Sequence, residues 1–175
     1  MNLYEATKAV HHGAESTPLG QRMSSGTLSM QEWADWLGLM HAIHRHIDAI
    51  VPKCLQRAEQ FEIDINDTRH APEQLIATLG IVRALEKGDL HLKQGFAYVC
   101  CGANLRGGQV VRNALEPKGF PCAHLQFDSF LDANVYMRDL KERSYLAPFA
   151  QRAFSSIVGA MGEIDALRLC REEQQ

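Results

Sequence analysis

No stretch of this 175-residue sequence approaches the ~20 uninterrupted apolar residues that a membrane-spanning helix requires. Residues 1–8 set Glu5 among mixed polar side chains and lack the apolar core of a secretion signal, so the expected compartment is the cytoplasm. An excess of one charge is missing too. Eighteen basic against 21 acidic residues leave a formal net charge of −3, with no basic stripe, which argues against a nucleic-acid partner. Cysteine is sparse and unpaired in pattern: Cys54, Cys100, Cys101, Cys122 and Cys170 are odd in number and contain no C-x-x-C. Neither a disulfide framework nor a zinc knuckle follows, and the vicinal Cys100 and Cys101 read as reduced packing residues. No G-x-G-x-x-G occurs, so no flavin or dinucleotide site is expected. Repeats, low-complexity tracts and linker-like shifts are absent as well, and 1–175 reads as one domain.

What is present is helical periodicity, in a chain with an ordinary 46% of hydrophobic residues. Leu3, Ala6, Thr7, Val10 and Ala14 recur at three- and four-residue steps, which predicts a helix over 3–16 closed by Pro18 and Gly20. A polar connection over 21–28 follows. Ser29 and Glu32 form a capping box for a helix over 30–50, whose stripe is Trp33, Trp36, Leu37, Met40, Ile43, His44 and Ile47. A short helical piece is expected over 53–60, and the alternating 61–67, with no partner run to pair with, reads as a loop. Pro72 opens the next helix, with Leu75, Ile76, Leu79, Val82 and Leu85 on its stripe and Gly88 at its end. Asp128 is the expected cap of a helix to about Arg143, and Pro148 begins a last one to about Arg171.

Two segments carry candidate chemistry. In the first helix His11 borders the apolar stripe and Glu15 lies one turn on. A carboxylate there can accept the imidazole N–H and fix the other ring nitrogen as a ligand. The second is residues 90–115, apolar and helical in period yet interrupted by Gly95, Gly102, Gly107 and Gly108. Each interior glycine costs roughly 1 kcal/mol relative to alanine, and it also admits a close approach to the backbone. Either tight helix packing or a flat ligand would use that. His41, His44 and Asp48 on the second long helix have spacing that would suit a metal, but they read first as boundary groups on a helix whose Trp33, Trp36, Leu37 and Met40 face the core.

The first segment matches one known pattern and the second matches two. Ala6, Thr7, Lys8, His11 and Glu15 follow A-T-K-x-x-H-x-x-x-E. Tyr98, Val99, Gly102, Asn104 and Leu105 follow Y-V-x-E-G-S-N-L-G, while Leu105, Gly107, Gly108 and Gln109 follow G-D-L-S-G-G-Q. In these residues the chain resembles the haem oxygenase family, in its bacterial and animal forms respectively. The resemblance implies an all-α, single-domain bundle with a kinked distal helix. His11 would be the axial iron ligand, with Glu15 behind it. Gly102, Gly107, Gly108 and Asn104 would form the catalytic distal wall, with backbone dipoles from Ala103. Lys8 and Tyr98 match family positions that hold the haem propionates, and Arg138 or Lys141 are candidate additions from a later helix.

Three residues depart from the patterns: Asn104 stands where the animal type has aspartate, Arg106 where glycine or serine is usual, and Cys101 where the bacterial type has glutamate. The activity implied is oxidative cleavage of haem to biliverdin, CO and iron. Haem would be cofactor and substrate, O2 the oxidant, and an external ferredoxin or flavoprotein the reductant. Two alternatives stay open, a haem binder of this fold without turnover and a non-haem relative such as a thiamine-cleaving or di-iron helical enzyme.

Overall fold

The computed structural model describes residues 2–174. Its regular structure is helical, and among the described residues there are nine α-helices and no strand. They are α1 (Leu3–Glu15), α2 (Pro18–Ser25), α3 (Met30–Ile47), α4 (Ala58–Thr68), α5 (Ile76–Lys87), α6 (Leu90–Gly102), α7 (Gly108–Leu115), α8 (Phe130–Glu142) and α9 (Ala147–Glu172). A π-helical turn, Ala103–Gly107, joins α6 to α7. None of these helices is long and apolar enough to cross a membrane.

The core forms around α9, which packs on α6, α1, α5, α3 and α2. Ala150, Ala153, Phe154, Ile157, Ala160, Met161 and Ile164 follow three- and four-residue steps and are all buried, so small residues alternate with large ones along the buried faces. The α6–α9 contact is close because Gly95 lacks a side chain. A Cβ there would come within 2.6 Å of the Phe149 backbone. Opposite, α3 buries Trp33, Leu37, Met40, Ile43 and Ile47, and its Ser29–Glu32 capping box is present in both directions. Glu32 also receives Arg22 of α2, which reaches Asp165 of α9 as well, tying three helices by charge.

Local structure departs from the sequence expectations at four places. Ser129 rather than Asp128 caps α8, its hydroxyl accepting the Asp132 N–H. Residues 18–25 form α2 rather than a closing turn and connection, because Pro18 sits in the first turn, where its missing N–H costs nothing, and Thr17 caps Gly20 N. The 61–67 segment is helical within α4, while only Lys53–Leu55 of the expected piece over 53–60 is a separate 3₁₀ turn. Pro72 precedes α5 by a full turn and packs against Gly38 instead.

Candidate functional site

Two ties hold the α1–α2 arm against the rod formed by α6, the π turn and α7. At one, Thr7 of α1 interacts with the Tyr98 hydroxyl of α6; burial pushes this phenol up and Thr7 opposes the shift. At the other, α2 packs on α7 and the Lys118 ammonium donates to the Gly26 carbonyl at 2.5 Å. Between the ties α1 leans on α9, and residues of the arm and of the rod remain open to solvent.

On α1 these open residues include Lys8, His11 and Glu15. His11 Nδ1 is 3.6 Å from Glu15 Oε1, the side chains being 46% and 66% exposed. The imidazole stands edge-on to Phe154 of α9, with ring centroids 5.6 Å apart. Glu15 and Phe154 therefore flank the ring on two sides, and Nε2 has no hydrogen-bond partner among the described residues. Around the π turn the open residues are Ala103, Arg106, Gly107 and Val110, at the steps that define one helical face. A Cβ on Gly107 would meet nothing within 4 Å. That face is bare backbone and small apolar groups, with Arg106 at its edge.

The other glycines of the rod do something different. A Cβ on Gly102 would lie 3.4 Å from the Met137 methyl of α8, and one on Gly108 would come within 2.7 Å of Leu125. The expectation that both Gly107 and Gly108 present backbone to a flat ligand is thus corrected: Gly107 faces outward, whereas Gly108 makes room for Leu125 in the core. Asn104 also lies on the inner side. It is 5% exposed, and its Nδ2 lies 3.3 Å from Nε2 of the fully buried His44.

His44 is therefore no boundary group. Its Nδ1 lies 2.8 Å from Asp48 Oδ1, and Asp48 Oδ2 accepts the Arg57 and Ala58 backbone N–H groups at 2.9 and 2.8 Å. Both ring nitrogens are engaged, and among the described residues no three His, Cys, Asp or Glu side chains gather as a metal site. Phe61 separates His44 from a second buried pair, in which Asp64 accepts from the His124 ring and from the Ala123 and His124 N–H groups. Sequence reasoning passed over Asp64 and His124, whose 60-residue separation leaves no local signal. The i, i+4 spacing of His44 and Asp48 was visible, although its partner Asn104 was not.

Cations flank the opening. Lys141 of α8 stands over the Tyr4 ring at 5.0 Å, Arg138 lies exposed one turn earlier, and Arg106 acts electrostatically on the Tyr98 phenol. The vicinal cysteines are both buried, and burial pushes the Cys101 thiol up to about 12, which keeps it protonated.

The fold is that of a helical bundle in which a histidine-bearing helix runs beside a π-kinked, glycine-rich one. It is the haem oxygenase fold. The chain superposes on haem oxygenase from Leptospira interrogans with a TM-score of 0.74 at 20% identity, covering 92% of this chain and 97% of that one. It is similar to Synechocystis haem oxygenase-1 in complex with haem (0.75, 15% identity, 98% and 96% covered). It is similar also to Synechocystis haem oxygenase-2 with haem and NO (0.79, 18% identity, 94% and 84% covered). No family model and no curated protein matches the sequence.

Proposed function

We propose that this chain binds haem between His11 and the Gly107 face and cleaves it to biliverdin, CO and iron. The observation that carries the reading is the pairing of two features within this fold: an accessible imidazole on α1 and, on the kinked rod, an open face of Ala103, Gly107 and Val110 with Arg106 at its edge. The residues present fit the group. A porphyrin is flat and apolar with two carboxylates at one edge; Ala103, Gly107 and Val110 offer a flat apolar surface, and Lys8, Arg138 and Lys141 offer cations.

Bound haem supplies the oxygen-activating centre and also the carbon bridge that is cut, the electrons coming from a separate ferredoxin or flavoprotein. The protein's part is placement. His11 Nε2 would be the ligand, and the Glu15 carboxylate, 3.6 Å from Nδ1, would favour the proton on that nitrogen so that the other keeps its lone pair. Lys8 and Arg138 take the propionates, and Tyr98 fixes α1 against α6 beside them. Gly107 and Ala103 bring backbone dipoles close without bulk. Asn104 orders a water from beneath this face, because an amide accepts and donates without delivering a carboxylic proton.

The test is haemin titration of the purified chain, followed by reduction in air with catalase present to remove free peroxide. A Soret band and then biliverdin absorbance are expected. Asn104→Leu should keep haem bound and cut the biliverdin yield roughly tenfold, the rate equivalent of one lost hydrogen bond, while Asn104→Asp retains activity. Binding without biliverdin in the wild type, with activity gained by Asn104→Asp, would make the chain a non-catalytic haem binder. The burial of Asn104 favours that second reading.

The two adjacent glycines separate ligand contact from packing. Gly107→Leu projects into open space, so the apo-protein should melt as the wild type does while haem affinity falls. Gly108→Leu instead overpacks Leu125 and should cost about 1–3 kcal/mol in the apo-protein. Thermal melts and haem titrations of both variants check this, and equal effects of the two on haem affinity would remove Gly107 from the ligand face.

A further inference from the structure

The Asp48–His44–Asn104 chain has a direction, and the direction is set at its far end. Asp48 is a carboxylate and can only accept. Its Oδ2 is held by the Arg57 and Ala58 backbone N–H groups, and its Oδ1 faces His44 Nδ1 at 2.8 Å. Neutral His44 must then carry its proton on Nδ1, which leaves Nε2 as an acceptor. Among the described residues the one complementary group offered to it is the Asn104 amide nitrogen, 3.3 Å away. An amide that turns its NH2 toward His44 turns its carbonyl the other way. Among the described residues Asn104 Oδ1 has no hydrogen-bond partner, and it is not among the atoms sealed from solvent.

We infer that Asp48, through the tautomer of His44, fixes the Asn104 amide with its carbonyl oxygen toward the haem side. His44 and Asp48 are thus positioning residues for the reaction proposed above, on which this inference rests. The consequence is specific. Oδ1 accepts one proton of the distal water, and the second proton of that water is left to point at the ligand. A reversed amide would donate to the water's lone pair and leave neither of its protons directed.

Asp48→Asn tests the direction with almost no change of shape. The two backbone N–H donors would hold the new amide's oxygen, so its NH2 faces His44 Nδ1. His44 then carries its proton on Nε2, and the Asn104 amide must turn over to accept it. Among the described residues no other group hydrogen-bonds to the His44 ring. The neighbouring Phe61 ring is apolar, Arg57 and the Asp64–His124 pair are engaged elsewhere, and His41 and the protonated Cys101 thiol act on the His44–Asp48 pair through space without a hydrogen bond to it.

The experiment begins with the haem-free 175-residue chain labelled with 15N. Long-range 1H–15N correlation is expected to show His44 as the Nδ1–H tautomer, with a scalar coupling across the hydrogen bond between Asn104 Nδ2 and His44 Nε2. Asp48→Asn should invert the tautomer and abolish that coupling. Haemin is then added: the Soret band tests the binding proposal by itself. Given binding, Asp48→Asn should keep haem affinity and lower the biliverdin yield roughly tenfold, more than the loss of melting temperature explains. An Nε2–H tautomer in the wild-type apo-protein overturns the inference even if haem binds and is cleaved, and it does so whether or not the variant folds. An inverted tautomer with unchanged biliverdin yield overturns the link to the reaction. Absence of a Soret band fails the binding proposal, whereas the apo tautomer still reports on the direction of the chain.

Discussion

His11→Ala is expected to abolish the axially ligated haem spectrum and to lower biliverdin formation by more than about a hundredfold, beyond the 10–100-fold of losing a supporting partner. The fold should survive, since His11 is half exposed and substitutions of such residues usually shift stability by only about 0.5 kcal/mol. Added imidazole should enter the vacated volume beside Phe154 and restore both spectrum and part of the activity. Glu15→Ala should give a weaker version, because the ring keeps its contact with Phe154 while its Nδ1 loses the carboxylate. Optical titration of the three variants His11→Ala, His12→Ala and Glu15→Ala decides the matter. Loss of ligation in His12→Ala with His11→Ala unaffected would assign the ligand to the neighbouring histidine.

Asp64→Ala should be the most destabilising single substitution outside the apolar core. The carboxylate is 1% exposed and receives three donors: the Ala123 N–H, the His124 N–H and the His124 ring. Removing one member of a buried pair costs about 3–5 kcal/mol, because the partners stay buried and unsatisfied. For a chain of this size that lowers the melting temperature by about 10 °C. The damage should reach the distal wall, since the turn held by Asp64 contains Leu125, which packs under Gly108 and accepts the Gln109 side-chain amide. Burial also holds His124 below its ordinary value, with Asp64 opposing. The unfolded chain therefore takes up a proton that the folded chain refuses. The stability this contributes is full above the unfolded histidine value of about 6.5 and is lost as pH falls toward the folded value. Urea unfolding at pH 7.5 and 5.5 measures both effects. A loss below 1 kcal/mol in Asp64→Ala would show that the pair is replaceable.

Much of the helical framework is legible in the sequence because it rests on short-range rules. Repeats at three and four residues placed α1 and α3 to within a turn, Pro148 did so for α9, and the Ser29–Glu32 box marked the start of α3 correctly. The A-T-K-x-x-H segment and the glycine-rich segment pointed to the haem oxygenase fold. Helix α4 escaped because two residues on its buried face, Asp64 and Thr68, are polar; only Phe61 looks like core. Their burial is tolerated because partners elsewhere satisfy them, Asp64 by His124 and Thr68 by the Ile65 and His70 carbonyls.

Tertiary structure alone decided which side of the glycine-rich rod is open. The π turn adds a residue to the helical repeat, so it changes which of the adjacent Gly107 and Gly108 looks outward, and no composition rule foretells that rotation. It also decided that His44 is a buried member of a polar chain. His44 and Asn104 are 60 residues apart, as are Asp64 and His124. Helical periodicity is read within one or two turns. The burial of a polar group depends on a partner that only folding brings within 3 Å or so, where its hydrogen bond offsets the loss of water.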